Sequence, residues 1–386
     1  MDSEEQGPPI YRNWLAAIKN SASLGAYEVP LFTDAHITGT VLDGYGPYQF
    51  LNTVPYPRNE NEANPALILR VTNYLNHELP SMTETKENYY HGGWLADEVS
   101  ALLSLCLGIR VKPGSISREF DIEGDPKGFP ISLKWRKDPI FIKSEEQTAL
   151  PRVGGSHSLD DIKPLSTFPN LTAADATTLI RSARLYQDGL WIAESDPNLC
   201  WLMLVSAVET AAVYWKSDSE TTSERVKMWK PDLVELIIKH SNEELAVLIA
   251  DKIADLTGAT SKFINFFLNF FPDEPNNRPP DWAQLEWTPK SFKKSLSIIY
   301  GYRSRALHDG KPFPSPMFRR PHTFDGNIWA EVPIGLASGT SEHVWLRKDT
   351  PMLLHTFEYL VRQSLLKWWF SMSGKKNLIN NSDRQT

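Results

Sequence analysis

The chain has 386 residues, 41 % hydrophobic and 23 % charged, with a formal net charge of −7. That composition supplies a real apolar core and excludes a protein that coats nucleic acid through bulk positive charge, though not an RNA enzyme with a small basic cleft. Two cysteines, Cys106 and Cys200, each inside an apolar run, exclude a disulfide scaffold and a zinc site built from cysteine, which makes a reducing cytoplasm the expected setting.

Length suggests about two to three domains. The opening MDSEEQGPP is acidic and polar, so no secretory leader is expected there. Residues 1–145 read as a mixed α+β domain. Strand-like composition falls at 27–33, 36–42, 66–75, 109–111 and 131–135, and helical spacing of apolar residues runs over 94–107, where Gly108 is a stop signal. Residues 146–170 carry prolines, serines and glycines without helical or strand periodicity and read as a linker.

Long helices follow over 171–374, so the expected fold class is an α+β domain followed by a mainly α-helical one with loop insertions. The spacing predicts helices over 173–191, 243–256, 261–271 and 289–308, and another entered through Ser195-Asp196-Pro197, an acceptor before a first-turn proline. The apolar run 199–215 is broken by Glu209 and falls short of the roughly 18 uninterrupted apolar residues of a spanning helix, so it reads as a core helix and no membrane contact is expected. A last helix opens at Asp349-Thr350-Pro351, with Leu354, Phe357, Val361, Leu365 and Trp368 on one face. Residues 375–386 read as a loose tail. Segments 272–282 and 310–348 are rich in proline and glycine, and loops of that length in a compact domain usually serve function or a partner.

The chemistry concentrates in IIYGYRSRALHDG, residues 298–310. Phe292, Leu296, Ile299, Arg303 and Ala306 trace the apolar stripe of one helix, which puts a cation in the middle of a buried face. Such a cation is costly unless it is paired or working. His308 follows five residues later, about 140° around an ideal helix. The two side chains meet only if the last turn distorts, if the arginine reaches across, or if a second protomer supplies one of them. Arg305, three residues before His308, is a competing partner. Glu209 is the one charge between Asn198 and Trp215 and could orient Arg303 or tune His308.

An arginine beside a histidine can cut RNA without a metal. The 2′-hydroxyl attacks the adjacent phosphate, histidine moves protons, and a guanidinium offers two parallel donors to the phosphate. No metal-ligand cluster stands out in the sequence, and no cofactor is expected.

The run resembles the Arg-x4-His signature of HEPN ribonucleases, nearest to their ApeA-like branch, with Asp309 standing between His308 and Gly310. The resemblance implies a HEPN helical bundle over 171–374 and a homodimer that brings two Arg/His pairs into one cleft. It implies that Arg303 stabilises phosphate charge, His308 transfers protons, Glu209 supports both, and Tyr302, Ser304 and Arg305 contact RNA. It implies bacterial anti-phage defence by RNA degradation, with residues 1–145 sensing a phage-derived or small-molecule trigger. The alternative is a non-catalytic helical module that dimerises or holds RNA or protein. In that reading Arg303 pairs with Glu209 and His308 merely caps the helix dipole.

Overall fold

A computed structural model describes residues 7–19, 21–53, 62–76, 82–83, 85, 93–121, 124, 126–141, 148–215, 231–340 and 342–382. The chain divides into two compact units, Met1–Leu204 with Leu366–Thr386, and Val205–Leu365.

The first unit opens with α1 (Pro9–Ile18), entered through a proline that needs no amide partner in the first turn. An antiparallel sheet follows, built on β1 (Ala26–Thr33). After β2 (His36–Thr38) come β3 (Tyr48–Asn52) and β4 (Asn64–Thr72), giving the order β3-β4-β1. Val29, Leu31 and Thr33 alternate inward along β1, the period-two pattern of a half-buried strand. α2 (Leu95–Leu107) is buried almost all round and ends where Gly108 adopts φ 69°, a left-handed cap that needs no Cβ.

Beyond α2 the structure departs from the expected strands at 109–111 and 131–135. Ile109–Val111 do not join the sheet, because local partners take their polar groups. The Val111 amide donates to Ser104 Oγ at 3.2 Å, and Arg110, 1 % exposed, donates from Nε to the Leu190 carbonyl at 2.7 Å and pairs with Asp34 and Glu194 at 2.8 and 3.1 Å. Pairing resumes only in the short β5 (Lys112–Pro113), β6 (Arg118–Phe120) and β7 (Phe129–Pro130). The chain then leaves the sheet, and Arg136 forks onto Asp97 at 2.9 and 3.0 Å with its guanidinium 4.2 Å from the Trp135 ring centre.

The expected linker 146–170 lies inside the first unit. β8 (Ser156–Ser158) pairs parallel with β2, and residues Leu159–Asn170 form successive 3-10 turns. Leu159, Ile162, Leu165 and Phe168 are buried at a spacing of three, the repeat of a 3-10 helix. Phe168 packs edge-on against Tyr11 and Trp369. α3 (Ala173–Ile192) starts on a reciprocal cap between Thr172 and Asp175.

The division between the units falls inside α4 (Pro197–Trp215) and inside the last helix. By length and a mean hydropathy of 1.2, α4 is the one described helix apolar enough to cross a membrane; Cys200, Trp201, Leu204, Val205, Val208 and Ala212 on it are fully buried. α5 (Pro231–His240) precedes α6 (Glu243–Asn269), where the two helices expected over 243–256 and 261–271 run as one. Gly258 does not break it, since one interior glycine costs only about 1 kcal/mol. α7 (Pro289–His308) carries the motif. The segment after it forms two hairpins, β9 (Thr323–Phe324) with β10 (Ile328–Trp329) and β11 (Ala337–Thr340) with β12 (His343–Leu346). α8 (Leu354–Ser382) continues through most of the expected tail.

Glu98, in the first turn of α2, is a buried acid. Its Oε2 accepts the Ile10 amide at 2.9 Å, and Oε1 has no partner. Burial pushes its carboxyl up to about 8, against the opposing Ile10 bond and the charges of Arg184 and Arg12. The native state therefore keeps a proton that the unfolded chain releases near 4.5. Its stabilising effect is complete below that pH and is lost as pH rises towards about 8. Glu98→Gln keeps an acceptor for Ile10 and cannot ionise. Urea titrations should show its stability relative to wild type growing by about 2–4 kcal/mol between pH 5 and pH 9; parallel curves would refute the assignment.

Candidate functional site

α7 begins at a Thr288 cap whose Oγ1 accepts the Ser291 amide at 3.3 Å, with Pro289 in the first turn. Phe292, Leu296 and Ile299 are fully buried, so the apolar stripe read from the sequence faces the core. Arg303 continues that stripe at 21 % side-chain exposure. Its Nη2 donates to Glu209 Oε2 at 2.7 Å, and Glu209 is itself 16 % exposed.

The second Glu209 oxygen accepts the Tyr300 hydroxyl at 2.7 Å, and the Arg303 guanidinium lies 5.5 Å from the Tyr300 ring centre. Tyr300 in turn packs against Phe263 of α6, with ring centres 5.2 Å apart. Burial, then the bond to Glu209, raises the Tyr300 hydroxyl well above its ordinary range, so it stays a donor. One carboxylate thus holds both a phenol and a guanidinium and fixes where the arginine points. The Arg303 Nε has no partner.

His308 is the last residue of α7 and is exposed. The helix stays regular to its end: the Asp309 amide donates to the Arg305 carbonyl at 2.9 Å. Gly310, at φ 65°, turns the chain back, and the Lys311 amide donates to the same carbonyl at 3.2 Å. The distorted last turn that would have joined Arg303 to His308 is therefore not present. Arg303 is turned to Glu209, while His308 stands about 140° further round.

Arg305 and His308, three residues apart, are neighbours on the helix surface. Arg305 is exposed, its guanidinium 4.5 Å from the Tyr302 ring centre. Tyr302 is buried and donates its hydroxyl to the Asp349 carbonyl at 2.6 Å. Ser304 is half-buried.

Tyr302 and Arg305 open onto a cavity of about 610 Å³ whose other walls include Lys311, Phe313, Ser315, Phe318, His343, Trp345 and Asp349. The sequence had marked 310–348 as a functional loop without naming these residues. Their only local signal is aromatic side chains recurring in a proline-rich stretch. Other polar or aromatic outliers of the sequence are His91, Arg319, His322 and the run Trp368–Phe370. Arg319 reaches Ser338 Oγ at 3.4 Å, His322 packs on Phe324, and Trp368 and Trp369 are buried. His91 lies outside the described residues.

Among the described residues no group of three or more His, Cys, Asp or Glu side chains could hold a metal ion. Compared with known proteins, the chain matches no family model, no curated protein and no solved structure. The HEPN resemblance therefore stands on the residues around Arg303 and His308 alone.

Proposed function

We propose that this protein is an endoribonuclease of HEPN type that cuts RNA by 2′-hydroxyl attack without a metal, as a cytoplasmic homodimer in bacterial anti-phage defence. The observation that carries the reading is the exposure of His308, which lies in the chain between Arg305 and Lys311, two cations that line a cavity with several aromatic rings. A histidine serving only as a helix cap needs no such neighbours.

In the reaction the 2′-oxygen loses its proton to one histidine and bonds to phosphorus. The P–O5′ bond then breaks, and the leaving oxygen takes a proton from a second acid. The products are a 2′,3′-cyclic phosphate and a 5′-hydroxyl. His308 of each protomer fills one proton-transfer role, which answers the separation of Arg303 and His308 within one chain. Arg303, held by Glu209, and the exposed Arg305 stabilise the extra charge on phosphorus. The N-terminal residues restrain or trigger this activity.

The second reading, a non-catalytic binding module, is favoured by one fact: Glu209 and Tyr300 give Arg303 a structural role without any substrate. Incubating the protein with single-stranded RNA and its all-deoxy counterpart in excess EDTA separates the two. The ribonuclease yields cyclic-phosphate ends from RNA and leaves DNA whole. Bound but uncut RNA across protein concentrations that span dimerisation would favour the module.

A further inference from the structure

The cavity beside α7 has a composition that selects a ligand. On one side, β12 projects His343 and Trp345 to the same face, two residues apart along a strand. Their rings lie nearly parallel, 17° apart with centres at 5.9 Å. Phe313 and Phe318 add further apolar surface, and Tyr302 adds a ring already held by its bond to Asp349. On the other side are the charges. Arg305 and Lys311 line the cavity, and the bond from the Lys311 amide to the Arg305 carbonyl keeps these two residues at the same helix end. Among the described lining residues Asp349 is the one carboxylate, so the two fixed cations outnumber it. Ser315 also lines the wall, and its hydroxyl has no hydrogen-bond partner. A volume of about 610 Å³ falls within the range of small-ligand sites.

We propose that this cavity binds one nucleotide. The base extends the His343–Trp345 stack, and the phosphate lies against Arg305 and Lys311. Stacking on a ring pair tolerates any base, because every base has a π-face. The arginine fork fits a phosphate with two parallel donors, and lysine adds a point charge. A planar hydrophobe without charge leaves the two cations unused, and a bare phosphate leaves the aromatic wall empty, so affinity requires both halves of the ligand.

Two sources carry this chemistry, a free nucleotide or one unit of a single-stranded RNA. The assignment to RNA rests on the ribonuclease reading, in which the cavity holds a nucleotide next to the phosphate attacked beside His308. The binding chemistry of the cavity does not depend on cleavage.

Calorimetry on the full-length His308→Ala protein, expected to cut RNA at least about 10²-fold more slowly, tests both. The probes are adenosine and uridine monophosphate, adenosine, inorganic phosphate and an RNA tetranucleotide. Both monophosphates should bind, with adenosine and phosphate each at least about tenfold weaker. Adding Trp345→Ala should weaken the monophosphates by about tenfold or more, while Trp345→Phe restores most of the affinity and shows that the fold is intact. Arg305→Gln should weaken the monophosphates and leave adenosine unchanged. Tetranucleotide binding that adenosine monophosphate displaces assigns the site to RNA. Monophosphate binding without tetranucleotide binding keeps the nucleotide site and overturns its RNA assignment. If neither monophosphate binds, or Trp345→Ala binds them as well as the parent, the proposal is overturned. RNA cleavage by the wild type with no nucleotide binding overturns the cavity alone, and nucleotide binding without cleavage overturns the ribonuclease reading alone.

Discussion

His308→Ala is expected to lower RNA cleavage by about 10²–10⁴-fold, the usual worth of a positioned proton-transfer group. The variant should fold as well as wild type. His308 is exposed at the end of α7, and surface changes away from buried features stay within about 0.5 kcal/mol. As a bare helix cap, His308 would contribute about 0.3–1 kcal/mol through the dipole and nothing to the rate. Thermal melts and cleavage gels on the same preparation therefore answer separate questions. An intact melt with lost cleavage supports the catalytic role. An intact melt with undiminished cleavage removes His308 from the mechanism and shifts attention to Arg305 and His343 in the adjoining cavity. Arg303→Ala is a less clean probe, because it also strands Glu209 beside Tyr300.

Glu331→Ala is expected to destabilise the second unit by about 3 kcal/mol, the scale for breaking a buried ion pair from one side. Glu331 is 2 % exposed, and its two oxygens accept Arg278 Nε at 2.9 Å and Nη2 at 2.7 Å. Oε2 also accepts the Leu285 amide at 2.7 Å. The backbone is tied in as well: the Glu331 amide donates to the Ala283 carbonyl, and the Leu353 amide donates to the Glu331 carbonyl. One acid thus pins both irregular segments, 272–282 through Arg278 and 310–348 through itself. Without it the Arg278 guanidinium keeps Glu274, the Leu285 carbonyl and the face of the Trp287 ring. Glu274, 56 % exposed, is the control, and its removal should cost under about 1 kcal/mol. Denaturant midpoints that fall equally for the two variants would show that burial of Glu331 carries no special weight. Because 310–348 supplies most of the cavity wall, Glu331→Ala should also weaken nucleotide binding.

The sequence showed the helices best where their faces repeat. The stripe Phe292–Leu296–Ile299 and the helix starts at 173 and 289 are local features, and each is where the sequence placed it. It misled where a different period was at work. Leu159, Ile162, Leu165 and Phe168 repeat every three residues, invisible to a search for 3.6 or 2, so a packed 3-10 segment read as a linker. At 109–111, β-branched residues suggested a strand, but Arg110 and its partners hold that segment out of the sheet.

The candidate site divides the same way. Arg303 was anomalous from local pattern alone, because a cation interrupts an apolar helical stripe whatever the rest of the fold does. Its partner Glu209 lies 94 residues away, and only packing makes a suspected pair into a 2.7 Å contact. The regular end of α7, which preserves the separation of Arg303 from His308 that helical spacing implies, and the aromatic cavity closed by His343 and Trp345 came from tertiary structure. Helical period and capping are encoded within a few residues. Which face meets which, and what a proline-rich loop folds over, depends on contacts between distant segments that leave no periodic trace in the chain.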